Sequence, residues 1–158
     1  MSGFGQTFQG DWEKLQKQLQ KIGRLNYQKM HQKMGEALVA NTQMRFTDQV
    51  DPDGQKWKAT RRGGQILTQT NHLGSSITYN ATAKGVEVGT NLKYAAIHQF
   101  GGKIKAKKAK FLKFKTPRGW VQKKEIVIPA RPFIGFSKED QEDIGVLFRK
   151  AIEEVAKV

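Results

Sequence analysis

Residues 103–124 limit what this chain can fold into more than any other feature. These 22 residues carry ten positively charged side chains and no acidic one. Removing an unpaired charge from water costs on the order of several kcal/mol, so a run of like charges cannot be buried in a small core. The segment must therefore lie on the surface, and the core must come from the residues on either side of it.

The same segment supplies most of the charge of the chain, which has 158 residues and a net charge of +14. Three interpretations are open. The lysines and the interleaved aromatic residues could contact phosphates and stack on bases, the lysines could protect an exposed strand edge from aggregation, or they could dock on an acidic protein surface. The residues predicted to contact DNA or an acidic partner are Lys103, Lys105, Lys107, Lys108, Lys110, Lys113, Lys115, Arg118, Lys123 and Lys124.

Composition excludes several classes of protein. The chain has no cysteine, which rules out disulfides, thiol catalysis and zinc–cysteine sites. Its length fits one domain, which we expect to span residues 1–158. No apolar run reaches the ~18 residues that a membrane helix needs, and the N-terminus lacks the apolar middle of a secretion signal. We expect a soluble protein of a cytoplasm-like compartment, without membrane contact.

Two apolar stripes at helical spacing predict a long helical segment at the N-terminus. Gly23 is expected to interrupt it, and the second helix must end before Pro52, which opens a Pro-Asp-Gly turn. The stripes are expected in the core or in a subunit interface; they consist of Trp12, Leu15, Leu19 and Ile22, then Tyr27, Met30, Met34, Leu38, Val39 and Phe46.

The rest of the chain predicts strands followed by a helix. Alternating apolar residues indicate a hairpin of residues 75–80 and 85–90, and a second pair of residues 111–115 and 119–129. Ser137 followed by Asp140 is a capping-box pattern that opens a C-terminal helix. The fold class expected is α+β: a small antiparallel β-sheet with a long N-terminal helical segment and a C-terminal helix, plus a protruding basic β-hairpin arm at about 103–124.

The residues that could carry catalysis are few. His98 is the only histidine that calls for an argument, and no nucleophile or carboxylate motif supplies the partner that a general base needs; we expect it to be partly buried and hydrogen-bonded to backbone. Glu125, Asp140, Glu142 and Asp143 could suggest a nuclease metal cluster, but the last three lie on the first turns of a helix, where acids are expected. We therefore expect no enzyme, no catalytic residue, no metal site and no cofactor.

Two stretches together point to a family. "YAAIHQFGG" (94–102) and "IPARPFIGFS" (128–137) resemble the paired signatures of the bacteriophage virion-morphogenesis proteins, the Mu-type tail-completion family. "RFTDQVDPDGQKW" (45–57) and "ILTQTNHLGSSI" (66–77) are similar to further family features and fall in the same order, so the resemblance covers roughly residues 35–155. The chain departs from the pattern at Asn71, where glycine is expected, but asparagine also tolerates left-handed backbone.

The resemblance implies a structural protein of the virion neck that finishes the tail end or joins tail to head as a ring, often of six subunits. Its partners would be other neck, connector or tail proteins, with DNA passing nearby, and it would be found in the virion neck or tail and in the host cytoplasm during assembly. The alternative is a nucleic-acid-binding module that uses residues 103–124, and a nuclease ranks third.

The two signatures also suggest where an assembly interface lies. Aromatic residues around a glycine turn suit an interface core. Pro129 and Pro132 stiffen the chain around Arg131, whose guanidinium is expected either to make a bidentate contact across an interface or to pair with an acid of the C-terminal helix. The predicted interface residues are Tyr94, His98, Phe100, Gly101, Gly102, Arg131, Pro132 and Phe133.

Overall fold

A computed structural model describes residues 17, 20, 22–60, 63–107, 109–116 and 119–157 of the chain. The described residues form an α+β fold, as predicted. Its helices are α1 (Tyr27–Asp48), α2 (His72–Ser75), α3 (Ala95–Phe100) and α4 (Lys138–Ala156). Its strands are β1 (Thr78–Thr82), β2 (Gly85–Gly89), β3 (Gly102–Lys105), β4 (Leu112–Thr116), β5 (Gly119–Lys123) and β6 (Glu125–Ile128).

Helix α1 is the element on which the β1–β2 hairpin, α2 and α4 pack. The chain turns at residues 23 and 24, which confirms the predicted interruption at Gly23, and Asn26 then caps α1 by accepting a hydrogen bond from the Lys29 N–H at 2.9 Å. The helix ends at Asp48, before Pro52 as predicted, because Gln49 adopts left-handed backbone with φ 57°. Met30, Met34 and Phe46 of the second stripe are buried, whereas the predicted stripe residues Trp12, Leu15 and Leu19 lie outside the described residues.

The predicted first hairpin is confirmed. Strands β1 and β2 pair antiparallel from Thr78 opposite Gly89 to Thr82 opposite Gly85. The hairpin lies close against α1 because residue 35 is a glycine: a Cβ atom there would overlap the ring of Tyr79.

The other strands pair differently from the single small sheet and the second hairpin that the sequence predicts. The described strands form three separate two-stranded antiparallel sheets. Residues 112–116 pair with 119–123 as predicted, but 125–128 pair with β3 instead, with Ile104 opposite Ile126 and Lys105 opposite Glu125. The pairing of β6 with β3 has a physical reason, because it places an apolar pair and an opposite-charge pair across the strands. That residues 103–124 protrude from the body as an arm stays a prediction.

Helix α4 begins as the capping-box pattern predicts. The Ser137 hydroxyl accepts a hydrogen bond from the Asp140 N–H at 3.1 Å, and the Asp140 carboxylate accepts one from the Ser137 N–H at 2.7 Å. The core beneath α1 centres on Phe46, whose ring lies 5.4 Å from that of Trp57 and 5.1 Å from that of Phe133. Its other buried members are Ile66, Leu73, Ile77 and Ala95. No helix in the described part of the chain is long and apolar enough to cross a membrane.

Candidate assembly surface

The structure brings the two signature segments together. The Arg131 N–H donates to the His98 carbonyl at 2.7 Å. The Gln99 side chain accepts from the N–H groups of Phe133 and Ile134 at 3.0 and 3.1 Å and donates to the Ile134 carbonyl at 2.8 Å. Because one carboxamide satisfies three backbone groups, Gln99 holds the extended segment against α3 as a neighbouring strand would.

The glycines between α3 and β3 make this contact fit. Gly101 has φ 70°, and a Cβ atom on it would lie 2.7 Å from the Ala130 nitrogen and 3.0 Å from the Ile128 carbonyl oxygen. Gly102 follows with φ 155°. Both conformations favour glycine, so these residues serve the internal junction between α3 and the segment after β6.

Arg131 makes a bidentate contact, but within the chain. Its Nε and Nη2 donate to the Lys58 carbonyl at 3.0 and 2.8 Å, and only 6% of the residue is exposed. Next to it the Trp57 indole donates to the Pro132 carbonyl at 2.8 Å. The alternative interpretation, an ion pair of Arg131 with an acid of the C-terminal helix, is wrong: the buried acid of that helix, Asp140, pairs with Arg45.

Arg45 joins α1, the signature segment and α4. One guanidinium nitrogen donates to the carbonyls of Phe133 and Gly135, both at 3.2 Å, and the other donates to the Ser137 hydroxyl at 3.1 Å and forms the ion pair with Asp140. The Asp140 side chain is fully buried. The buried Asp140 carboxylate is thus compensated by the charge of Arg45 and by hydrogen-bond donors.

The pKa of Asp140 reflects these partners. Burial acts to raise the pKa of this carboxyl group. Hydrogen bonds from the Ser137 N–H, the Asn41 carboxamide and the Ser137 hydroxyl, together with the charge of Arg45, outweigh the burial and hold the pKa below its ordinary value. The acid that could suggest a nuclease cluster is thus a structural anion.

His98 departs from its expected environment. The residue is half-buried as predicted, but its Nδ1 is buried without a hydrogen-bond partner among the described residues. Burial, and then the charge of Arg131, lower the pKa of the imidazole. The ring packs edge-on against Tyr94, with 6.1 Å between the centroids. Its surroundings are those of a packing residue.

Of the predicted interface residues, two aromatic side chains reach the surface. Phe100, the last residue of α3, is 79% exposed and Tyr94 is 44% exposed, whereas Phe133 is 1% exposed. Phe100 borders a shallow, mostly apolar groove of about 310 Å³, lined also by Gly89, Thr90, Leu92, Ala95, Ala96, Gln99, Phe133 and Ile134. An exposed aromatic side chain beside an apolar groove is a composition typical of protein interfaces.

Ion pairs involve some of the lysines of residues 103–124 but not others. Lys103 and Lys105 each lie 3.9 Å from a carboxylate oxygen of Glu125. Within the described residues, Lys113 and Lys115 form no ion pair and are exposed. The predicted contact residues Lys107, Lys110, Lys123 and Lys124 are also exposed, and Lys108 and Arg118 lie outside the described residues.

Sequence reasoning missed the side chains that organise this region, which are Arg45, Trp57 and Gln99. Each bonds to backbone groups 34 to 90 residues away in sequence, and no local pattern marks such partners. The local signal that was available is Gln99 itself, a polar residue directly before Phe100 in the first signature. In the described ranges no three His, Cys, Asp or Glu residues are grouped so as to hold a metal ion.

Comparison with known proteins agrees with the resemblance of the two signatures. The model of the phage virion morphogenesis family matches residues 10–153. The chain is 39% identical over 89 residues to the Mu-like prophage FluMu G protein 2 of Haemophilus influenzae, an alignment that covers 56% of this chain and 53% of that protein. It is 31% identical over 132 residues to the putative capsid assembly protein G of Escherichia phage Mu, covering 75% of each.

The chain thus spans about half the length of the Haemophilus protein and three quarters of that of the phage Mu protein. No solved structure matches it significantly. The family match extends over both signature segments, α1 and most of α4. The chain therefore belongs to the phage virion morphogenesis family.

Proposed function

We propose that this protein is a structural component of the neck of a phage or prophage virion, where it finishes the tail end or joins tail to head as a ring of subunits, without catalysis. The observation that carries the proposal is the family match over residues 10–153, which supports a role in phage assembly. Its partners would be further copies of itself and other neck, connector or tail proteins.

The exposed part of α3 supports an assembly role. Phe100 leaves most of its ring in water beside an apolar groove, and large exposed apolar side chains next to such grooves are favourable contact points for another protein. Below this surface, the Gln99 side chain and the Arg131 backbone N–H fix α3 to the segment after β6. The surface is thus held on a rigid base, which lowers the entropy cost of association.

A ring requires a heterologous contact, in which one surface of a subunit meets a different surface of the next and the rotation closes. We propose that the groove beside Phe100 forms one half of this contact, and that the ring in the virion has six subunits. We propose that α4 contributes to the other half, since its apolar residues Val146 and Phe148 are 38% and 40% exposed.

Substitution of Phe100 tests the proposal. The change Phe100→Ala is expected to lower the ring fraction, measured by mass photometry and negative-stain microscopy with the tail and connector proteins of the same phage, at least several-fold. Since the side chain is exposed, the monomer should remain folded. Met44→Ala, which removes a side chain that is 60% exposed on α1, is the matched control and should leave assembly unchanged. A protein that stays monomeric with every neck partner would contradict the proposal.

The name of the phage Mu relative, putative capsid assembly protein G, points to capsid assembly, which gives a competing location at the head. The second candidate function is a nucleic-acid-binding module. It is favoured by the concentration of positive charge in residues 103–124. A salt titration together with the ring assay separates it from the neck role: nanomolar affinity for DNA at physiological salt that is lost when residues 103–124 are shortened, in a protein that forms no ring with neck partners, would favour the module.

A further inference from the structure

The hairpin of β4 and β5 has one face that the packing of the fold leaves uncovered. Alternate residues of a strand share a face, and residues opposite each other across an antiparallel pair share it too. Gln122 lies opposite Lys113 and Trp120 opposite Lys115, so these four side chains form one face of the hairpin. We call it the Lys–Trp face.

The other face of the hairpin is its apolar one. It carries Leu112, Phe114 and Val121, which are half-buried, and at one end Lys123, which lies opposite Leu112. All four side chains of the Lys–Trp face are exposed, and Trp120 is 70% exposed. An indole ring left in water on the polar face of a hairpin needs an explanation, because tryptophan is well buried in most proteins.

The positive charge of the Lys–Trp face lies in a stretch of sequence without acidic residues. At the base of the segment Glu125 lies between Lys103 and Lys105, but residues 106–124 contain no acidic side chain. In the described part of the chain no carboxylate pairs with Lys113 or Lys115. A protective strand edge would need the lysines alone; it would not need the indole.

We propose that the Lys–Trp face binds single-stranded nucleic acid. Lys113 and Lys115 project from one strand about 7 Å apart, a separation on the scale of successive phosphates in an extended strand. Trp120 is the cross-strand neighbour of Lys115, so its ring lies beside a bound phosphate. A positively charged track with an aromatic stacking surface is the combination that binds single strands without sequence preference.

The indole of Trp120 determines whether single-stranded or double-stranded nucleic acid is preferred. In a duplex the bases remain stacked inside the helix and leave no face for Trp120, so a duplex would use the lysines only. An acidic protein surface would likewise use the lysines, and it has no planar bases for the ring. The face therefore favours unpaired bases over both other polyanions.

The test is fluorescence anisotropy of a labelled 20-nucleotide oligo(dT) with the full-length protein. The change Trp120→Ala is expected to weaken binding at least about five-fold, and Trp120→Phe should restore most of the affinity. Lys115→Gln should lower the slope of log affinity against log salt by about 0.7. Lys123→Gln removes the same charge from the opposite face of the hairpin and should leave the slope unchanged.

Two competitors complete the experiment. A duplex of equal length should bind more weakly than oligo(dT) and should not respond to Trp120→Ala, and polyglutamate should compete poorly. The proposal is overturned if oligo(dT) does not bind, if Trp120→Ala has no effect, if Lys123→Gln acts like Lys115→Gln, or if polyglutamate competes as well as oligo(dT). Ring assembly is measured without nucleic acid, so failure of this proposal leaves the neck proposal standing, and the reverse holds.

Discussion

Arg45 and Asp140 form a buried ion pair between α1 and α4. Both side chains are buried, and removal of one partner of a buried ion pair leaves the other charge uncompensated. The change Arg45→Met is expected to lower the free energy of unfolding by about 3–5 kcal/mol, measured by urea denaturation at pH 7.

An exposed ion pair between the same two helices gives the control. Lys33 and Glu154 lie 4.0 Å apart and are both largely in water. The change Lys33→Met should alter the free energy of unfolding by less than about 1 kcal/mol. Equal losses in Arg45→Met and Lys33→Met would show that burial of the first pair has no energetic consequence.

His98 predicts a dependence of stability on pH. Burial and the charge of Arg131 lower its pKa in the folded state, so the unfolded chain binds a proton more readily, and stability must fall as the pH drops below the ordinary value of about 6.5. The change His98→Leu should flatten the loss of unfolding free energy between pH 7 and pH 5. A slope that survives His98→Leu would assign it to another group.

At the scale of residues, local chemistry could be predicted and distant partners could not. The Ser137–Asp140 capping box is a pattern of four adjacent residues, and Asn71 adopts the left-handed backbone (φ 50°) expected of a residue in the place of glycine. The partner of Asp140 stands 95 residues away, and no spacing rule selects Arg45 from the other cations. For the same reason the partner of the bidentate Arg131 contact, the Lys58 carbonyl, was not predicted.

At the scale of elements, two helical glycines predict opposite effects. Gly35→Ala is expected to destabilise the protein by about 1–3 kcal/mol, because the new methyl group would overlap the Tyr79 ring and force the β1–β2 hairpin away from α1. That loss exceeds the gain of up to about 1 kcal/mol from helix propensity. Thermal unfolding measures the difference.

Gly145→Ala in α4 is the matched variant. The nearest atom to a Cβ at this position is Arg149 Nη1, at 3.8 Å, which is ordinary contact. It should therefore stabilise the protein by up to about 1 kcal/mol. If both alanines stabilised the protein, the close packing of the hairpin on α1 would be wrong.

Elements with a strong local period were predicted from the sequence, namely α1, α4 and the β1–β2 hairpin. The pairing of β6 was not, because β6 is four residues long and its partner β3 lies on the far side of the β4–β5 hairpin. Helix α3 was not among the predicted elements, and in it Gln99 bonds to the backbone of residues 133 and 134. Tertiary contacts decide such short segments.

At the scale of the whole molecule, the sequence carried the family but not the place in the virion. Four motifs in order indicated the phage virion morphogenesis family, and the match over residues 10–153 confirms it. Of the predicted interface, the structure leaves Phe100 and Tyr94 at the surface and places Arg131 and Phe133 inside. A single sequence does not separate these roles, since packing and assembly contacts use the same residue types.

The location of the protein in the particle tests the central proposal most directly. Heads and tails would be purified separately from a lysate of the phage, probed for this protein by mass spectrometry, and imaged by electron cryomicroscopy. We predict that the protein copurifies with tails and forms a ring at their head-proximal end. This ring should be missing from tails when the gene of the protein is deleted. Its presence in heads alone, or its absence from finished virions, would contradict the account.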